Sequence, residues 1–211
     1  MPLNADYFFK DYNVIAELKT FEGVFSGPEA MRSLSQACVD AGCSASDLAG
    51  YVFRGEALPE RANNLILRRF RRAIEQRIKK ARKQLRQSKS AFGKKDTQSL
   101  IIIAMDQPPL FGHDNMLAMI ARLMGDNYSD EHTDGVIYMN PNVPTQLRAD
   151  GMEFSGWFPF YRDDDVNERL SGFVNLLGNR WLTYYAGQIG EVHPILELDS
   201  SEDMFAVLGG R

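Results

Sequence analysis

The sequence predicts a mixed α/β sheet flanked by helices, with one long basic helix and a helical C-terminal part. Three stretches carry this prediction. Residues 7–9 and 14–21 read as a β-hairpin, Leu58 to Phe92 as one long helix, and Ser99 to Met105 as a strand apolar throughout. A strand, long helix, strand order is that of a crossover connection, which joins parallel strands of one sheet.

The hairpin comes first in the chain. Tyr7 to Phe9 and Val14 to Phe21 are rich in β-branched and aromatic residues, and Lys10 to Asn13 have turn composition. A symmetric turn centred on Asp11-Tyr12 sets Phe9 opposite Val14 and Asp6 opposite Glu17. A three-residue turn shifts the register by one and moves Asp6 to the other face. Side chains alternate along a strand, so Glu17 and Lys19 share a face with Ile15 and Phe21. Opposed carboxylates at roughly 5 Å repel, and a hard divalent cation between them removes that penalty. Asp6, Glu17 and Lys19 are therefore candidates for a metal site. An Asp at a strand start and an Ala-Glu-Leu-Lys run also occur without any such role.

Glu22 to Glu56 is mixed, with helical spacing from Pro28 to Ala41 and a second short helix near Ser46 to Val52. Cys38 and Cys43 lack the neighbours a zinc site needs and read as ordinary thiols. In the long helix Phe70, Ile74, Ile78, Ala81 and Leu85 recur at three and four residues, one apolar stripe on a rod roughly 50 Å long. The other faces are basic. Between Arg68 and Lys95 stand 13 Lys or Arg residues and one acid, Glu75, while the remaining 183 residues carry 11 basic and 27 acidic groups, a net of −16. Solvated helices usually mix signs to gain i,i+4 pairs, so this one calls for a polyanion or for the acidic remainder of the chain.

Asp114 to Gly125 has amphipathic spacing and ends at its glycine, and Gly135 to Met139 reads as a further strand. Met152 to Tyr161 is aromatic, a pattern that fits core packing better than a base-stacking platform. Val166 to Gly187 has helical character. His113, His132 and His193 show no ligand spacing.

Asp6, ten intervening residues, then Glu17-Leu18-Lys19 closing an apolar strand resembles the signature of the PD-(D/E)XK nuclease superfamily. Ala5 stands where that signature usually has proline. The resemblance implies a restriction-endonuclease-like fold in which Asp6 and Glu17 bind Mg²⁺ (or Mn²⁺) and Lys19 positions or activates the attacking water. Many members place after the motif a helix carrying Gln or Lys toward the site, which points to Lys80 and Gln84. Five residues precede Asp6, where the family core normally has a helix and a first strand. The resemblance thus covers the hairpin and the elements after it.

The expected organisation is a nuclease-like core over residues 1–142, with a helical insertion at about 22–57, and an extension over 143–211 packing on the same domain. The function implied is that of a metal-dependent nuclease hydrolysing phosphodiester bonds. Asp6, Glu17 and Lys19 would be catalytic, and Arg72, Gln76, Lys79, Lys80, Lys83 and Gln84 would contact nucleic acid, DNA before RNA. The alternatives are a non-catalytic nucleic-acid-binding module of the same fold, or a structural, partner-binding protein. No apolar run approaches the roughly 20 residues of a membrane span. Two cysteines and no signal-peptide pattern set the expected location as cytoplasmic, and a homo-oligomer is left open.

Overall fold

The computed structural model describes residues 5–21, 27–92, 96–105, 112–127, 133–140, 145–146, 153–154, 156–162 and 167–190. The chain begins with strand β1 (Tyr7–Phe9) and strand β2 (Val14–Thr20), joined by a 3₁₀ turn over Lys10–Tyr12. Asn13 closes the turn in the left-handed region at φ 53°, its N–H donating to the Lys10 carbonyl. Asparagine tolerates that conformation better than most residues. Phe9 pairs with Val14, Phe8 with Ile15 and Tyr7 with Ala16, the register that the turn composition predicts.

Helices α1 (Gly27–Ala41) and α2 (Ala45–Arg54) come next, then α3 (Glu60–Phe92), β3 (Gln98–Ala104), α4 (His113–Asn127) and β4 (Gly135–Met139). Ser44 caps α2 in a reciprocal pair with Asp47, which accounts for a start one residue before the Ser46 expected from sequence. Two short strands, β5 (Thr145–Gln146) and β6 (Glu153–Phe154), pair with each other. Strand β7 (Trp157–Tyr161) and helix α5 (Glu168–Ile189) complete the described chain. Asn167 caps α5, so the helix begins after Val166, which lies outside the described residues.

The main sheet runs β1-β2-β3-β4-β7. Strands β2, β3 and β4 are parallel, and β1 and β7 lie antiparallel at the two edges. The fold is therefore mixed α/β, a five-stranded mixed sheet with helices on both faces. Alternation along the strands divides the core in two. Ile15, Ile101, Ile103, Val136 and Tyr138 pack with α1, α3 and α4 on one face. Val14, Ala16, Leu100, Ile102 and Ile137 pack with Leu170, Phe173 and Val174 of α5 on the other. Strand β3 is buried on both faces, as its unbroken apolar run requires. Both β7 and α5 come from the segment after residue 142, and they share this sheet and core. No described helix is long and apolar enough to cross a membrane.

One carboxylate ties the N-terminal ends of β3 and β4 to the surrounding elements. Asp134 Oδ2 accepts from the Ser99 backbone N–H at 2.7 Å, the Ser99 hydroxyl at 2.9 Å and Lys89 Nζ at 3.0 Å. Arg162 stands 3.7 Å from its other oxygen. The end of α3, the start of β3, the start of β4 and the end of β7 therefore meet on one side chain. Removing it strands buried donors whose net hydrogen bonds to a charged group are each worth roughly 1.5–3 kcal/mol. Asp134→Ala is expected to cost about 2 kcal/mol, read as a lower urea midpoint with an unchanged m-value.

Candidate metal and phosphate site

The site grows from three residues of β2. Strand β2 lies between β1 and β3 with α3 across its face, so a side chain at position 17 has no path to water. Glu17 is 1% exposed. Lys19 stands two residues on, hence on the same face, and its ammonium pairs with Glu17 Oε1. It also donates to Gln84 Oε1 of α3 at 3.0 Å. Glu17 Oε2 is buried and makes no hydrogen bond to a described residue.

Burial pushes the Glu17 carboxyl above the usual carboxylate range. The Lys19 ammonium pulls it back by hydrogen bond and charge, the Asp6 carboxylate adds to the rise, and the Asp6 backbone N–H lowers it in turn. The net effect is upward, so the ionised form is held against the preference of its surroundings.

Asp6 departs from the expected geometry. The ladder ends at Tyr7, and Asp6 bends away from a position directly opposite Glu17. Its Oδ2 turns along the neighbouring strand to accept from the Leu18 N–H at 2.8 Å. The β1 ladder leaves that peptide donor without a strand partner, and a short carboxylate side chain satisfies it. Asp6 is exposed and still near enough to raise the Glu17 pKa, so the two carboxylates remain one electrostatic unit.

Helix α3 contributes unevenly. Gln84 is buried over Lys19, whereas Arg72, Gln76, Lys79, Lys80 and Lys83 are exposed. The spacing of Gln76, Lys80 and Gln84 suggests one shared face, but each four-residue step turns about 40° beyond a full turn. That drift carries Gln84 under the helix and leaves Lys80 and Gln76 progressively toward solvent. Arg72, Lys79 and Lys83 lie opposite the buried Ile74, Ile78 and Leu85, and Lys79 pairs with Glu75 at 2.7 Å.

Two α3 residues act at the site although the motif does not point to them. Ser88, one helical step past Gln84, is buried and accepts from the Ala5 N–H at 2.6 Å, which anchors the chain just before Asp6. The i+4 spacing from Gln84 is the signal that marks it. Arg77 lies over the Phe21 ring at 5.0 Å from its centre, a cation–π contact beside the exit of β2. Cys38 takes no part: it is buried, and that burial pushes its thiol up to about 11.

Among the described residues no three His, Cys, Asp or Glu side chains converge as a metal cage. Mg²⁺ commonly binds through one or two carboxylates and keeps the rest of its shell as water and substrate phosphate. A buried carboxylate oxygen with no described donor, beside an exposed second carboxylate, fits that pattern. Asp6 and Glu17 would hold the ion. No protein-family model, no curated protein and no solved structure matches the chain.

The raised Glu17 pKa has a definite sign. The folded protein holds this proton more tightly than the unfolded chain, so ionisation opposes folding once the pH exceeds the unfolded value near ~4.3. Glu17→Gln removes the charge. It is expected to raise the melting temperature at neutral pH, with the gain shrinking as pH falls through the raised value and vanishing below the unfolded one. Thermal melts of both proteins between about pH 4 and 8 check this.

Proposed function

We propose that this chain is a metal-dependent nuclease of restriction-endonuclease-like type, hydrolysing phosphodiester bonds in nucleic acid, DNA in the first instance. The observation that carries the reading is the buried Glu17 carboxylate, kept with one oxygen unpartnered beside Asp6 and Lys19. The order hairpin, helix, strand, helix, strand, with β2, β3 and β4 parallel, supports it. So does the arrival of Gln84 from α3 at the motif lysine. The basic surface of α3 supplies charge for a phosphate backbone.

A divalent cation, which Asp6 and Glu17 would hold, would supply Lewis-acid polarisation of the phosphate and would lower the pKa of the attacking water. The chain's own residues do the rest. Asp6, held by the Leu18 N–H, and Glu17, held by its burial, present their carboxylates from two adjoining segments. Lys19 neutralises Glu17 in the resting protein, with Gln84 holding the ammonium from the other side. When substrate is in place, the same ammonium stabilises charge developing on a phosphoryl oxygen. Exposed Arg72, Lys79, Lys80 and Lys83 contact the backbone without reading sequence.

A second reading is favoured by the Lys19–Glu17 pair itself. That pair satisfies the site's charge without a cation, which suits a module that binds nucleic acid and does not cut it. One assay separates the two. Mixed DNA and RNA substrates are incubated with Mg²⁺ or Mn²⁺ and wild type, Glu17→Ala or Lys19→Ala. The nuclease reading expects metal-dependent cleavage in wild type, reduced by roughly 100-fold or more in both variants, on the order of losing one transition-state contact. Binding without cleavage by all three proteins selects the second reading.

The basic helix has its own test. Replacing Arg72, Lys79 and Lys83 together by alanine is expected to flatten the dependence of log K on log salt by roughly 3 for duplex DNA. A wild-type affinity that is flat between low and high salt would remove α3 from the interface.

A further inference from the structure

The three parallel strands bring their C-terminal ends to one edge of the sheet, where open α/β sheets bind ligands. Phe21, Met105 and Asn140 directly succeed β2, β3 and β4. The Phe21 N–H donates to the Ala104 carbonyl at 3.1 Å and the Met105 N–H to the Met139 carbonyl at 3.0 Å, so the strands stay together past their ends. Lys19 pairs with Ile103, and Ile103 with Tyr138. With strands about 4.8 Å apart, Tyr138 stands roughly 10 Å from Lys19 across the same face. Asn140 lies one pleat further out.

His113, the first residue of α4, joins these two. Its Nδ1 is 2.7 Å from the Tyr138 hydroxyl and its Nε2 is 3.2 Å from Asn140 Nδ2. The hydroxyl in turn donates to Met105 Sδ at 3.5 Å. The directions follow from the groups. An amide nitrogen gives hydrogen only, so Nε2 accepts, and Nδ1–H donates to Tyr138, which passes its own hydrogen to sulfur. Both ring nitrogens are thus engaged by described residues. Burial pushes the Tyr138 phenol far above its usual range, which keeps that hydroxyl a donor.

Asn140 Oδ1 is left over. The residue is 1% exposed, and this oxygen meets no described donor. A buried amide oxygen without a donor costs free energy, so it marks a place where a partner is expected to arrive. Gln98 and Thr133 also bury unpartnered oxygens, but at the opposite edge of the sheet. Asn140 lies on the same face as Glu17, two strands over and four residues nearer the C-terminal edge.

We propose that Asn140, positioned by His113, is a second substrate contact that accepts a hydrogen bond from a nucleotide flanking the cleaved phosphate. This rests on the nuclease reading above and extends it to substrate choice. The unpartnered atom is an acceptor, which repels a phosphate and suits a neutral donor. A nucleotide offers two, the ribose 2′-hydroxyl and a base amino group. A strand whose phosphate lies at Glu17 and that runs out toward the C-terminal edge of the sheet brings a flanking sugar and base toward Asn140.

The test is equilibrium binding by fluorescence anisotropy, without added metal so that no turnover intervenes. Three probes are used: a short single-stranded RNA, the same sequence as DNA, and that DNA with abasic positions. Asn140→Ala is expected to weaken binding about fivefold to tenfold, the size of one net hydrogen bond. Loss on RNA alone assigns the 2′-hydroxyl. Loss on RNA and DNA but not on abasic DNA assigns the base. His113→Ala should weaken the same probes, and His113→Gln, which keeps an acceptor toward Asn140, should restore most of the affinity. Where Asn140→Ala lowers the melting temperature, Asn140→Ser replaces it and is expected to show the same selective loss. Equal affinities of wild type and variant for every probe overturn this contact while leaving the nuclease reading intact. A wild type that binds none of the probes overturns both.

Discussion

The burial of one carboxylate beneath α3 organises the rest of this protein. Glu17 sits in the middle of the sheet's parallel part, where a charge is costly unless it is paired. Lys19 supplies the pairing because the pleat delivers it to the same face two residues later. Gln84 then has to reach Lys19, which sets how α3 lies across β2. Ser88, on the next helical step, catches the chain before Asp6 and so places the second carboxylate. Each neighbour is where it is because of what Glu17 requires. A hydrophobic residue at position 17 would need none of them.

Helix α3 carries two loads that its length makes compatible. Its apolar stripe from Ile66 to Leu85 is a main contribution to one half of the core, and its far side is almost wholly basic. Between those two faces lies the flank that holds Arg77, Gln84 and Ser88. The helix is therefore packing surface, site wall and polyanion surface at different angles around one axis. At its far end Lys89 closes on Asp134, which joins the helix to the opposite edge of the sheet. The two ends of the parallel strands are thus built differently. One is tied together by the Asp134 carboxylate, and the other holds the Tyr138–His113–Asn140 chain of contacts.

Much of this is readable residue by residue. The hairpin register follows from the turn at Lys10 to Asn13, and Phe9 does pair with Val14. The stripe Phe70, Ile74, Ile78, Ala81, Leu85 is buried throughout, and Gly135–Met139 is a strand with the bounds that its composition indicates. The placement of Glu17 and Lys19 on one face follows from strand alternation alone. The bend of Asp6 toward Leu18 does not, because it depends on where the β1 ladder ends. Nor does the choice of Gln84 over Lys80, which depends on the rotation of α3 about its own axis. His113 has no partner at ligand spacing in the sequence, yet it meets Tyr138 and Asn140, 25 and 27 residues away.

The sequence by itself determined the periodic features: most of the helices and strands, which face of each is apolar, and which side chains two residues apart on a strand share a face. These are local consequences of backbone geometry and of the spacing of apolar residues. The tertiary structure alone decided which helical turn lies over Lys19, where the sheet ladder stops, and that β7 joins the main sheet as its edge strand. It also decided which buried oxygens go without a described donor. Those outcomes depend on how rigid elements settle against one another, where a small rotation of α3 exchanges a buried glutamine for an exposed lysine.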